Sequence, residues 1–142
     1  MSAISELTRQ AIFESLNVSG VTSLATGGVH FKVAPPETAF PFVVFDRIPG
    51  SVDYAFAKNL VGERDLWMVK ALTDSDSSAD YEPPELAENI LTACETAING
   101  TLNVSGKTNS IARRRGDIPP QITDQSDRQI WQHGFYLDTY SG

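Results

Sequence analysis

A proline-rich stretch that leads into a short apolar strand constrains the fold of this chain more than any other feature. Residues 34–48 read Ala-Pro-Pro-Glu-Thr-Ala-Phe-Pro-Phe-Val-Val-Phe-Asp-Arg-Ile. Pro35, Pro36 and Pro41 each fix φ and lack a backbone donor, so this segment is extended and cannot join a helix. The residues that follow are apolar on both faces of a predicted strand, 42–48, before the sequence turns polar. The stretch predicts a buried strand and contains no catalytic motif.

The composition is that of a soluble globular protein. The chain has 142 residues, of which 41% are apolar and 20% charged, and we expect one domain over residues 1–142. Its net charge of −7 argues against nucleic-acid binding by counterion release. An acidic wall would instead let DNA slide past without sticking. The acidity could also serve only to keep the protein soluble.

The sequence carries no sign of a disulfide, a cofactor site or a membrane segment. Its one cysteine, Cys94, cannot form an internal disulfide or a cysteine-based zinc site. The N-terminus lacks a secretory signal, and no apolar run reaches the roughly 18–20 residues of a membrane span. We therefore expect an intracellular protein that uses no cofactor.

Hydrophobic periodicity predicts an α+β fold, with a mainly antiparallel sheet and two helices packed on one face. The predicted elements, in order, are a helix at 3–16, strands at 29–33, 42–48 and 64–74, a helix at 84–98, and strands at 101–105, 110–115 and 127–140. The 64–74 strand is apolar on both sides, which is typical of a central strand. The last strand alternates cleanly, with Trp131, His133 and Phe135 on one face.

Two loops are predicted to be exposed. The first, at residues 49–63, contains Val52, Tyr54, Phe56 and Leu60, and a loop of about fifteen residues is usually functional. Its apolar side chains need a surface to bury against, either in this domain or in a neighbour. The second loop, at residues 116–126, contains two consecutive prolines.

The residue types that carry catalysis are present but not arranged for it. His30 and His133 lie in separate predicted strands, and no nucleophile elbow or phosphate-binding glycine loop occurs. Asp74, Asp76 and Asp80 lack the central glycine and distal glutamate of an EF-hand loop, which favours a solvated turn.

A pair of carboxylates lies in adjacent predicted strands. Asp46 and Asp65 could form a catalytic pair, but Arg47 and Arg64 beside them favour ordinary ion pairs.

The only basic run is Arg113, Arg114 and Arg115. A nucleic-acid patch is typically found in a basic domain with interleaved aromatics, and this chain is acidic. Arginine pairs well with carboxylates across interfaces. The run therefore predicts an ion-paired edge strand or a subunit contact, and a solvated edge strand remains an equal alternative.

The order of these elements resembles that of the small tail-terminator and tail-completion (head–tail joining, neck) proteins of long-tailed bacteriophages. The matching stretches are the N-terminal helix, the strand with its proline-rich exit at 29–36, Pro-Phe-Val-Val-Phe-Asp-Arg-Ile at 41–48, Arg-Asp-Leu-Trp-Met-Val-Lys-Ala at 64–71, the second helix, and the final strand at 129–140. The resemblance covers most of the chain.

This resemblance implies a virion protein without catalytic residues, metal or cofactor. It implies a ring, commonly of six subunits, that ends growth of the tail tube and joins the tail to the head connector. Its partners would be copies of itself, the tail tube protein, the connector or neck proteins, and viral DNA passing through the lumen without sequence-specific contact. The contact residues would be Val52, Tyr54, Phe56, Leu60, Arg113, Arg114 and Arg115.

Two alternatives stay open at the level of sequence. One is a head-completion or connector ring, which would surround the same DNA path. The other is a small ligand-binding or enzymatic α+β domain, with Asp65, Trp67 and His133 in a shared cleft.

Overall fold

The fold is described from a computed structural model. The structure describes residues 3–48, 53–54, 63–75, 82–125 and 128–142. Within these ranges there are three helices and seven strands, in the following order along the chain: α1 (Ala3–Leu16), α2 (Ser19–Thr22), β1 (Val29–Phe31), β2 (Phe42–Arg47), β3 (Asp53–Tyr54), β4 (Glu63–Asp74), α3 (Pro83–Ile98), β5 (Gly100–Thr101), β6 (Ser110–Gln125) and β7 (Arg128–Ser141).

The described strands form one mixed sheet in the order β1-β2-β4-β7-β6-β5, and β3 pairs with one end of β4. β1 runs parallel to β2, and the other pairs are antiparallel. The prediction of an α+β chain therefore stands, but its sheet carries a parallel pair at one edge. The physical reason is that residues 32–41 form a crossover rather than a hairpin, so β2 starts at the same end as β1.

Most predicted elements are confirmed within a residue or two, and two predicted regions are corrected. Two short elements were not predicted: α2, a single turn added to the two predicted helices, and β3, which lies inside the predicted loop at 49–63. The predicted strand at 101–105 is reduced to Gly100–Thr101. The predicted loop at 116–126 is a strand, because β6 continues to Gln125 through Pro119 and Pro120. Register shifts at Arg114/Gly116 and Ile118/Gln121 absorb the irregularity. Prolines are tolerated there because, among the described strands, the outer edge of β6 pairs only with the two residues of β5.

The core lies between the helices and one face of the sheet. Alternate residues of the three central strands are fully buried there, namely Val43, Phe45, Trp67, Val69, Ala71, Phe135 and Leu137. Helix α3 covers them with a stripe of buried residues that includes Ile90, Leu91 and Cys94. The predicted division of β4 into two faces is confirmed, since Leu66, Met68 and Leu72 alternate with the buried set and are only half-buried.

The centre of the β4–β7 pair requires a residue without a side chain. Gly134 of β7 lies opposite Lys70 of β4. A Cβ at Gly134 would stand 2.4 Å from the Val69 carbonyl oxygen and 2.9 Å from Lys70 Cγ. Because a backbone oxygen cannot move aside without breaking the ladder, only glycine fits there.

We expect Gly134→Ala to lower the free energy of unfolding by about 1–3 kcal/mol, the usual range for overpacking. Urea denaturation monitored by tryptophan fluorescence measures the change. Gly116→Ala in β6 is the matched control, because nothing lies within 4 Å of a Cβ built there. Equal stability of the two variants would contradict the packing argument.

Candidate interface on the open face of the sheet

The face of the sheet that points away from the helices carries apolar side chains that are only half-buried. Its central positions include Val44, Leu66, Met68, Leu72 and Tyr136, all of intermediate exposure. They sit on β2, β4 and β7, directly behind the buried core residues. Asp46, Lys70, Gln132 and Asp138 lie among them. A half-buried face that combines apolar and charged side chains in this way is compatible with an interaction site.

A groove of about 420 Å³ lies on this face, next to the crossover between β1 and β2. Its floor is apolar and comes from β2 and β4, and its wall comes from the crossover. The lining residues are Lys32, Val33, Ala34, Pro35, Glu37, Thr38, Phe40, Phe42, Val44, Met68, Lys70, Leu72, Arg128 and Gln132. Three cations and one anion therefore surround it, in a chain whose net charge is −7.

The three groove cations differ in their partners. Arg128 donates to Asp74 Oδ2 at 3.1 Å and stacks over Phe40 at 4.9 Å, so its charge is largely met within the subunit. Lys32 stands over the Phe31 ring at 5.5 Å. In the described ranges, neither Lys32 nor Lys70 forms an ion pair with a carboxylate. The hydrogen bond from Arg9 and the nearby charges of Arg9 and Lys32 hold the pKa of Glu6 in α1 below its usual value, so part of the Lys32 charge acts on the helix side. The groove lining still carries more cations than anions, with Glu37 as its one carboxylate.

The three arginines of the basic run have different surroundings. Arg114 donates to Glu95 Oε2 of α3 at 2.7 Å, forms a short ion pair with Asp117, and lies 5.0 Å from the Phe135 ring. The hydrogen bond from Arg114 holds the pKa of Asp117 below its usual value. Arg114 therefore fastens α3 to β6 within the subunit.

The two outer arginines line two other concavities on the open face. Arg113 lies beside Arg64, Asp138 and Tyr140. Arg64 is paired with Asp138 at 3.1 Å. Arg115 lies beside Leu66 and Tyr136. That Arg113 and Arg115 contact other subunits stays a prediction.

The residues proposed for an enzymatic cleft do not gather around the groove. Asp65, Trp67 and His133 all point toward the helices, and Asp65 stands six positions along β4 from Ala71, the register partner of His133. Trp67 Nε1 donates to Thr139 Oγ1 at 3.0 Å, and His133 Nδ1 lies 3.0 Å from Glu88 Oε1.

The suggested carboxylate pair does not form. Asp46 lies opposite Met68 on the open face, whereas Asp65 is buried on the helix side. Arg47 Nε donates to Asp65 Oδ1 at 3.0 Å, which confirms the predicted ion pairing. The second predicted partner, Arg64, is paired with Asp138 at 3.1 Å.

A buried polar cluster that the sequence did not indicate joins α1 to the sheet. Ser5 Oγ lies 2.8 Å from Asp65 Oδ2 and 3.2 Å from Glu63 Oε1. Thr8 and Ser141 share a hydroxyl–hydroxyl bond of 2.7 Å. The sequence gives little indication of this cluster, because small hydroxyl residues such as Ser5 and Thr8 are common on the buried side of a helix. These hydrogen bonds fasten α1 to β4 and β7.

Several residues for which the sequence predicted a role lie outside the described ranges. Val52, Phe56, Leu60, Asp76 and Asp80 fall outside them, and Tyr54 is described only as backbone in β3. The described ranges hold no cluster of three or more His, Cys, Asp or Glu side chains that could bind a metal ion. None of the described helices has the length and apolar character to cross a membrane.

Comparison with solved structures identifies relatives of the fold. One is a protein in the virion of a native gene transfer agent (GTA) particle, with 18% identity, 100% of both chains covered and a TM-score of 0.65. This chain shares its fold with that protein. A second solved protein, which carries no functional name, matches with 12% identity, 97% and 96% coverage and a TM-score of 0.56. No protein-family model and no curated protein matches the sequence.

We expect Arg114→Ala to destabilise the protein by about 1–2 kcal/mol, because exposed ion pairs and a cation–π contact each contribute about 0.2–1 kcal/mol. Arg113→Ala and Arg115→Ala are the controls, and each should change stability by less than about 0.5 kcal/mol. Thermal and urea denaturation measure all three. Equal losses at the three positions would show that Arg114 does not fasten α3.

Proposed function

We propose that this protein is a structural component of a phage-like virion. The observation that carries the proposal is the end-to-end similarity to a protein of the gene transfer agent virion, which leaves no part of either chain unmatched. The surface supports it, because an apolar sheet face is costly to leave in water and suits a protein that works inside an assembly.

Within the virion, we place the protein at the head-proximal end of the tail. It would form a ring that ends growth of the tail tube and joins the tail to the head connector. The sequence resemblance to tail-terminator and tail-completion proteins supports this position. The net charge of −7 suits a ring through which DNA passes, since acidic walls repel phosphates.

The ring would close through heterologous contacts, in which one surface of each subunit meets a different surface of the next. We assign these contacts, and those with the tube, to the apolar loop residues Val52, Tyr54, Phe56 and Leu60 and to the outer arginines. Arg113 and Arg115 support the assignment because they line the open face, and Arg114 is engaged within the subunit.

Deleting the gene from the phage-like element that encodes this protein tests the proposed position. We expect unjoined heads and tails, with tails longer than normal because nothing ends the tube. Electron microscopy of the particles measures tail length and joining. Tails of normal length beside separate heads would indicate head completion instead, and normal infectious particles would contradict both roles.

Removing Val52–Leu60 tests the loop. The deletion also removes β3, but that strand contributes only two register pairs at the end of β4, so the domain should stay folded. We expect a folded subunit that no longer joins tails to heads in a complementation assay. Circular dichroism checks the fold. Normal joining by this variant would show that the loop is not a contact surface.

A further inference from the structure

We propose that the groove between the β1–β2 crossover and the open sheet face binds the acidic start of α3 from a second copy of this chain. This inference rests on the proposed function, because it names the contact through which the subunits of a ring would join. The contact would pair Lys32 and Lys70 on one subunit with Glu82 and Glu85 on the next.

The groove has the chemistry of a polypeptide site rather than a DNA site. Phe42, Met68 and Leu72 give it an apolar floor, which phosphates would not cover. Lys70 stands at this floor and forms no ion pair in the described part of the chain. Lys32 also lines the groove, with its ammonium over the Phe31 ring, and Glu37 is the one carboxylate of the lining. An occupant must therefore offer both apolar surface and negative charge, as an acidic, proline-containing peptide surface does.

The start of α3 offers that combination. Glu82 and Glu85 are exposed, and two prolines, Pro83 and Pro84, lie between them. Neither glutamate forms an ion pair within the described ranges. Residues 74–88 contain no lysine or arginine, so the charge around this helix start is not neutralised by its own sequence.

The contact would be heterologous, which is what a ring needs. The groove lies on the open face, whereas α3 packs on the opposite face of the sheet, so each subunit carries the two surfaces on different sides. Each copy then presents one groove and one acidic helix start, and the contact repeats from subunit to subunit until the ring closes.

Engineered cysteines test the contact on the purified protein. The native thiol should not form disulfides, because Cys94 is buried and desolvation raises its pKa to about 12. We expect the pair Lys70→Cys with Glu85→Cys to give a ladder of disulfide-linked oligomers on mild oxidation. The control pair is Lys70→Cys with Glu14→Cys, which places the second thiol on an exposed acidic position of α1. Crosslinking no greater than in the control would overturn the proposal.

Charge reversal provides a second readout that does not depend on disulfide geometry. Lys32→Glu with Lys70→Glu, and separately Glu82→Lys with Glu85→Lys, should each raise the Kd of self-association by about tenfold. Combining all four changes should restore association, because each groove then meets a helix start of opposite charge. Native mass spectrometry and sedimentation measure the oligomers. Failure of the fourfold variant to recover, with each variant folded by circular dichroism, would overturn the proposed pairing.

Two outcomes separate this inference from the proposed function. If gene deletion leaves heads and tails unjoined while the cysteine pair crosslinks no better than its control, the groove contact fails and the virion role stands. If the crosslinks form but the deletion leaves particles normal, the virion role fails and the contact stands. Duplex DNA binding that Lys32→Glu with Lys70→Glu abolishes would assign the groove to nucleic acid and overturn the inference.

Discussion

The pairing of β4 with β7 is the constraint on which the rest of the structure depends. Every residue of β4 from Glu63 to Asp74 has a register partner on β7. Side chains on alternate positions therefore form two separate surfaces, one beneath the helices and one open. Gly134 makes this close approach possible, since its missing side chain leaves room for the Val69 carbonyl oxygen. The hydrophobic core and the candidate interface are thus the two sides of the same pair of strands.

Local sequence patterns predicted most of the helices and strands. The features that they did not predict depend on which strands pair over long sequence distances. The periodicities of α1 and β4 could be read directly, because each element carries its own apolar face. The strand character of residues 116–125 could not be read, because Pro119 and Pro120 indicate a loop unless the strand is known to lie at a sheet edge. The parallel β1–β2 pair and the groove beside it likewise depend on where the crossover returns, which local sequence does not encode.

The site shows the same division. The basic run was visible in the sequence, but its three residues have different roles because β6 is pleated and bulged at Arg115. Arg114 binds Glu95 and Asp117, whereas Arg113 and Arg115 line the open face. The groove cations carry no signal in the sequence, since Lys32, Lys70 and Arg128 are far apart along the chain and line one groove only in the folded protein. A chain with a net charge of −7 therefore carries a groove in which cations outnumber anions.

The alternation of β4 also limits how this protein can change over evolutionary time. One inserted residue in the middle of the strand would shift its register and exchange the two faces, sending Lys70 toward α3 and a core valine toward solvent. Single substitutions can alter the open face without touching the core, but changes in strand length cannot. Relatives that acquire different assembly partners should therefore differ in the side chains of these strands and in the lengths of the connections between them, while the strands keep their lengths.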